Sequence, residues 1–527
     1  MPIIKLIHRL PIAGIALACV LAFVVPAAWA AHPKPAHADK AQTAHLPVPK
    51  ARAVVTHGRV VVDGKTIRYT ATAGTLILRN KQDQPIGSMF YVAYTKDGVR
   101  NLSERPITFL YNGGPGASSN WLTMSGLGAY KVNLVNGGPT PPPPYSVTPS
   151  KESILNVSDL VFVDAMGTGY SRIVGKGTGK MFWGVDQDIQ TFGQFIERYL
   201  THYDRWNSPL FLYGESYGTT RSAGLSLWLQ DQGIAVNGVT LQSSILNYFD
   251  GAPGSDAEYT FTLPTFAALA WYHDKVPNKP ASLSAFVEQA RQFADGPYLL
   301  ALRQGDELPK AQLDAMAAKL HDLTGLPVAY LERAKLRVTG SEFRKELMLP
   351  EQQHIGRYDG RYVAADQSAI ASTPAFDPSD QQISPALEQG YLWYVHHILK
   401  WKTHYAYVPQ SFKAFKTWDW KHRTPGFGTQ PLPDVAADLA SAMRKNPNLQ
   451  VLSENGYFDL ATPFHETEYD LAHVNLPANL RSHIHFAYFK SGHPIYINPN
   501  ALKTMHGVLT RFYGNTLAAD HKAAAGE

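Results

Sequence analysis

Short apolar runs recur along the first half of the chain, each cut off by glycine, asparagine or aspartate. Between residues 54 and 99 apolar and polar stretches alternate, punctuated by Asp63-Gly64 and Asp97-Gly98, a pattern that predicts β-hairpins. Residues 107–111, 160–163 and 209–213 are short, largely apolar runs that read as buried strands. Ile189, Phe192, Phe195, Ile196 and Tyr199 repeat at helical spacing between the second and third runs, and residues 219–229 read as a helix after the third. Strands alternating with helices imply a mostly parallel sheet, with functional loops at the C-terminal ends of its strands. Residues 137–149, with prolines at 141–144, read as a stiff surface loop. From about 250 to 410 strand signals are sparse and residues 284–302, 311–334 and 385–401 are helix-like, which predicts a helical cap inserted into the sheet domain. Strand-like runs return at 449–452 and 485–489, and 502–513 closes as a helix.

The N-terminus has a separate logic. Lys5, His8 and Arg9 form a positive region, residues 12–25 an apolar one, and Ala28-Trp29-Ala30 a small-residue cleavage site. This is a signal peptide over residues 1–30, predicting export to the periplasm or beyond after cleavage near Ala30, with no stable membrane anchor left. Residues 31–53, rich in Ala, Pro, His and Lys, read as a flexible linker. The only cysteine, Cys19, lies in the leader, so the mature chain has neither disulfides nor a cysteine nucleophile. Losing the leader's Lys5 and Arg9 leaves 46 basic against 43 acidic residues, a net charge of +3. That is too mild and dispersed for a nucleic-acid partner. No H-E-x-x-H or similar ligand spacing occurs, so the chemistry is expected to need neither metal nor cofactor.

The candidate chemistry centres on Gly214-Glu215-Ser216-Tyr217-Gly218, a serine flanked by glycines between a strand and a helix. Such a turn is the nucleophile elbow of an α/β-hydrolase: it lifts the hydroxyl clear of the sheet and is too tight for side chains at the glycines. The expected order of partners is serine, acid, histidine. Asp459, in the loop after the strand at 449–452, and His493, in the loop after the strand at 485–489, fit that order. Glu454, Asp470 and Asp164 compete for the acid, although Asp164 precedes the serine. His465, His473, His483, His485 and His506 read as surface or structural histidines. The oxyanion hole requires the amide after the serine, Tyr217, and one from a glycine-rich loop after an early strand, for which Asn112-Gly113-Gly114-Pro115-Gly116 is placed.

Residues 112–119 (NGGPGASS), Asp164 with 167–171 (GTGYS), 214–218 (GESYG), 456–463 (GYFDLATP) and Gly492-His493 occur in one order, and together the chain resembles the serine carboxypeptidase family, its bacterial exported members above all. The resemblance spans about 54–247 and 420–513. It implies an α/β-hydrolase fold with core segments 54–249 and 411–515 and a cap at 250–410, acting on peptide or protein C-termini through an acyl-enzyme. It assigns Ser216 as nucleophile, Asp459 and His493 as its partners, and Gly114 and Tyr217 as oxyanion donors. It also implies that Asn112 and Glu215 bind the substrate's terminal carboxylate, Glu215 as a buried, protonated acid. Two departures stand out: Ala117 replaces the family's usual cysteine, and the second glutamate many relatives carry is missing between Gly116 and Lys131. Arg357 or Arg361 in the cap is a candidate to take its place, with an Asp–Arg surface pair as the alternative. The same machinery also suits an esterase, amidase or acyltransferase, because fold and triad do not determine the substrate.

Overall fold

The computed structural model describes residues 46–252 and 254–525; the leader and the linker as far as residue 45 lie outside them. Nine strands form the path of one central sheet: β1 (Ala53–Val62), β2 (Lys65–Arg79), β3 (Pro85–Lys96), β4 (Ile107–Tyr111), β5 (Asp159–Val163), β6 (Leu210–Glu215), β7 (Gly238–Gln242), β8 (Gln450–Gly456) and β9 (Ile484–Phe489). Their spatial order is β1-β2-β3-β5-β4-β6-β7-β8-β9, with the short strand Arg172–Ile173 paired to β3. β1, β2, β3 and β5 pair antiparallel in sequence, and from β5 to β9 every pair is parallel. This is the α/β-hydrolase architecture expected from the sequence.

Strands β4 to β7 are buried throughout because both faces of the sheet are covered there, which is why 160–163 and 209–213 read as unbroken apolar runs. Phe109 and Leu212 point into one core layer with Phe192, Phe195 and Ile196 of the helix Val185–His202 and Leu225 and Leu229 of the helix Tyr217–Asp231. Leu110, Phe211 and Tyr213 point into the other, with Leu502, Leu509 and Phe512 of the helix Pro499–Ala525 and Leu387 and Tyr391 of the helix Pro378–His397. Residues adjacent along a strand thus serve opposite layers.

A third core lies within the inserted segment. Ala257–Tyr272, Leu283–Phe293 and Lys310–Thr324 pack around Phe266, Phe286, Leu320 and Phe343, and the same cluster includes Phe458, Leu460 and Phe464. The insertion is therefore seated directly on the loop that carries Asp459.

Three local expectations are corrected. The turn joining β2 to β3 is at Asn80–Gln84, closed by Asn80 N–H to Gln84 O at 3.0 Å, whereas Asp97-Gly98 follows β3. The helix expected over 311–334 breaks at Gly325, a left-handed C-cap (φ 69°) that Leu326 and Pro327 follow before Val328–Arg333. The one expected over 284–302 is interrupted by a wider turn at Ala294–Tyr298, where Pro297 supplies no amide hydrogen.

Candidate active site

Apolar β6 runs straight into Ser216, whose backbone sits at φ 62°, ψ −131°. That region is strained for a residue with a Cβ, at a cost of about 1–3 kcal/mol. Surrounding packing holds it. Ser216 N–H donates to Gln242 O at 3.0 Å, and its carbonyl accepts from Thr219 N–H at 2.8 Å and Thr219 Oγ1 at 2.7 Å. A Cβ on Gly214 would fall 2.1 Å from Gly218 O, so the elbow closes only around glycine. Ser216 is half-buried where both its neighbours are buried.

Asp459 and His493 meet from the ends of β8 and β9. His493 Nδ1 donates to Asp459 Oδ2 at 2.8 Å, both side chains being buried. Asp459 Oδ1 accepts from the Ala461 and Thr462 amides at 2.8 and 3.1 Å, and Oδ2 also accepts from Thr462 Oγ1 at 2.8 Å. Four donors on one carboxylate lock its plane. His493 Nε2 carries no hydrogen bond among the described residues, which leaves it open to a hydroxyl or a leaving group. The His493 carbonyl is held by Ser243 Oγ at 2.8 Å and Gln242 Nε2 at 3.1 Å, next to the strand end that holds Ser216.

Residues 357–361 of the insertion clamp both loops. Tyr358 O accepts the His493 amide at 2.6 Å and Asp359 Oδ2 the Gly492 amide at 3.2 Å, while Gly360 N–H donates to Phe458 O at 3.0 Å and Arg357 O accepts from Leu460 N–H at 3.0 Å. The Tyr358 ring lies 5.2 Å from the His493 ring. Arg361, expected as a possible carboxylate clamp, is instead buried against Asp359, with Nε–Oδ1 at 2.9 Å, and reaches Asn136 Oδ1 at 2.8 Å. Its pair is interior, not on the surface. Arg357 lays its guanidinium over the Tyr358 ring, 5.6 Å from the centroid.

The glycine loop presses on the elbow. A Cβ at Gly113 would meet Tyr217 N at 2.4 Å and Gly218 N at 2.5 Å, so the backbone of the glycine loop lies directly against the turn that carries Ser216. Tyr217 opens its helix, and its N–H is one of the four with no intrahelical acceptor. The loop is tied down by Asp164, which accepts from Ser119 N–H at 2.8 Å and is pushed up to about 6 by burial. Asp164 thus anchors the loop, and the other competing acids lie elsewhere: Glu454 inside β8 and Asp470 on the helix Phe464–Ala472. Gly113→Ala is expected to lower kcat by about 10²–10³, as for loss of an oxyanion donor, with little change in KM. Kinetics on an activated ester, with folding checked by near-ultraviolet circular dichroism, would contradict this if kcat stayed within threefold or so.

Asn112 and Glu215 sit side by side. Asn112 Nδ2 donates to Glu215 Oε1 at 2.9 Å, Asn112 Oδ1 accepts from Leu122 N–H at 3.0 Å, and Asn112 O accepts from Arg221 Nη1 at 2.9 Å. Gln242 Nε2 donates to the other Glu215 oxygen at 3.1 Å. Burial pushes the Glu215 carboxyl up to about 7, against the opposing pull of His493. Gln242, Thr462 and Tyr358 were not anticipated. For Gln242 a sequence signal exists, a glutamine closing the strand-like stretch Val239-Thr240-Leu241. Among the described residues no cluster of His, Cys, Asp or Glu is arranged to hold a metal ion, and no helix is long and apolar enough to cross a membrane.

Residues 66–226 match the sequence model of the serine carboxypeptidase family. That segment contains Asn112, Gly114, Glu215, Ser216 and Tyr217, while Asp459 and His493 lie beyond it. The chain is 30% identical over 142 residues to the retinoid-inducible serine carboxypeptidase of Homo sapiens; the match spans 27% of this chain and 28% of the human protein. Kex1(delta)p, a prohormone-processing carboxypeptidase from Saccharomyces cerevisiae, superposes with a TM-score of 0.50 at 12% identity, covering 85% of this chain and 92% of that one. At that identity the likeness is one of fold.

Proposed function

Because the chain belongs to the serine carboxypeptidase family, through residues 66–226, we propose that it is an exported serine carboxypeptidase that removes C-terminal residues from peptides through an acyl-enzyme. In this reading Ser216 attacks the scissile carbonyl, and His493 takes the hydroxyl proton and returns it to the leaving amine. Asp459 keeps the Nδ1–H tautomer and stabilises the imidazolium. The amides of Gly114 and Tyr217 receive the negative charge that develops on the carbonyl oxygen. The leader over residues 1–30 supports export to the periplasm or beyond.

One observation carries the substrate class: an amide and a buried carboxyl, Asn112 and Glu215, sit 2.9 Å apart immediately beside the nucleophile. A protonated Glu215 donates a hydrogen bond to a substrate carboxylate, whereas an ionised one repels it. The carboxyl holds its proton up to about pH 7, so binding of a free C-terminus is favoured below that pH and lost above it. Hydrolysis of an N-blocked peptide with a free C-terminus should therefore fall about tenfold per pH unit above 7, through KM. The amidated peptide, lacking the charge, should be cleaved poorly throughout. Measuring both across about pH 5 to 8 tests the reading. A flat profile, or equal cleavage of amidated peptides and simple esters, would point to an esterase or amidase instead.

A further inference from the structure

Three neighbouring parallel strands bring two glutamates and a glutamine into line. Gln242 on β7 registers against Glu215 on β6 and, on its other side, against Glu454 on β8. All three are buried. Tyr213, two residues before Glu215 and so on the same face of β6, inserts its phenol between the far pair. Its oxygen lies 2.8 Å from Gln242 Oε1 and 2.8 Å from Glu454 Oε2.

The protons of this chain can be counted. The His493 carbonyl only accepts, so the Gln242 group facing it at 3.1 Å is the NH₂. Its second N–H is spent on Glu215 Oε2 at 3.1 Å. Gln242 Oε1 then accepts from Tyr213, whose hydroxyl has one proton to give. The contact between Tyr213 and Glu454 Oε2 is left with a single possible donor, the acid proton of Glu454 itself. A second observation agrees: Glu454 Oε1 is buried with no hydrogen-bond partner, tolerable for the carbonyl of a neutral acid and costly for a carboxylate. The titratable groups facing Glu454 are the phenols of Tyr213 on β6 and Tyr513 on the helix Pro499–Ala525, and among the described residues no cation pairs with it. At the other end of the chain Glu215 faces His493, Asp459 and Tyr496.

We propose that Glu454 is a positioning residue that works as a neutral acid: through Tyr213 and Gln242 it sets the direction of the hydrogen bonds that end on the Glu215 carboxyl and the His493 carbonyl. Ionising Glu454 draws the Tyr213 proton away from Gln242. The glutamine then has no donor on its oxygen, and its hold on Glu215 and His493 loosens. The effect on peptide hydrolysis rests on the proposed function, whereas the protonation of Glu454 does not.

The test therefore has two arms. Infrared difference spectra of the wild type and Glu454→Gln at about pH 6, a pH at which an ordinary surface carboxyl is ionised, should show the C=O band of a protonated carboxylic acid that the variant lacks. Absence of that band overturns the proposal, whatever the substrate proves to be. In the second arm, the wild-type kcat/KM on the free-carboxylate peptide should fall with the first power of proton concentration above about pH 7, as Glu215 ionises, and steepen to the second power above about pH 8, as Glu454 follows. Glu454→Gln, whose carboxamide N–H replaces the acid proton, should retain kcat/KM within about threefold at pH 6 and fall with the first power only. Tyr213→Phe, which cuts the chain, should also show a first-power limb, with KM raised about tenfold. An unchanged second-power limb in both variants overturns the proposal. If Glu454→Gln does not fold, Tyr213→Phe decides by the same slope.

Discussion

Ser216→Ala is expected to lower kcat by about 10⁵–10⁶, the scale on which loss of a covalent nucleophile is felt in serine hydrolases. The loss is so large because the remaining groups have no function without the hydroxyl: His493 Nε2 has no proton to take and the oxyanion amides no tetrahedral centre to receive. The fold should be indifferent to the change. Alanine has the same Cβ as serine, so the backbone at φ 62° is strained equally in both, and no hydrogen bond of the Ser216 hydroxyl holds the structure together among the described residues. The midpoint of thermal unfolding should therefore stay within about 2 °C, the shift expected for less than 1 kcal/mol in a domain of this size. Steady-state rates, with fluorophosphonate labelling of the intact protein, check this. A variant that keeps more than about one part in a thousand of the wild-type rate, or that is still labelled, would remove Ser216 from the nucleophile's role.

Asp459→Asn should cost about 10⁴ in kcat. The carboxylate oxygen 2.8 Å from His493 Nδ1 only accepts, which keeps the ring proton on Nδ1 and the lone pair on Nε2. An asparagine amide at the same place donates, and the ring then carries its proton on Nε2, where it cannot accept one from Ser216. Thr462 reinforces the switch, because its hydroxyl is within 3.1 Å of His493 Nδ1 and donates to the nitrogen once the carboxylate is gone. KM should change little, since Asp459 is buried behind the histidine. A pH–rate series on the variant checks the cause as well as the size of the effect. A loss below about tenfold would mean that another acid serves the histidine.

The sheet and the elbow were legible because each depends on local rules: runs of buried residues for the parallel strands, glycine where Gly214 has no room for a side chain. The loops after β8 and β9 were legible from chain order. The helix Ala257–Tyr272 was not, because it is apolar on nearly every side and contains Pro264, so it has no amphipathic stripe to announce it. The partners of the site were hidden for a different reason. Gln242 meets Glu215 and Tyr213 only because β6 and β7 lie side by side, and meets His493 only because the loop after β9 crosses the end of β7. Residues 357–361 reach the histidine loop only because the insertion folds back onto the core. Arg361 carries the charge expected of a carboxylate clamp, and its neighbour Asp359, two residues away, occupies it. The spacing permits a surface pair or a buried one, and the packing of Gly492 against Asp359 makes it buried.

C-terminal trimming by Ser216 is tested most directly by the mass spectrum of an N-blocked peptide with a free C-terminus after incubation at about pH 6, where Glu215 keeps most of its proton, with wild type and with Ser216→Ala. The wild type alone should form a ladder of products shortened one residue at a time from the C-terminus. Internal cleavage, no shortening, or the same ladder from Ser216→Ala would contradict trimming by Ser216.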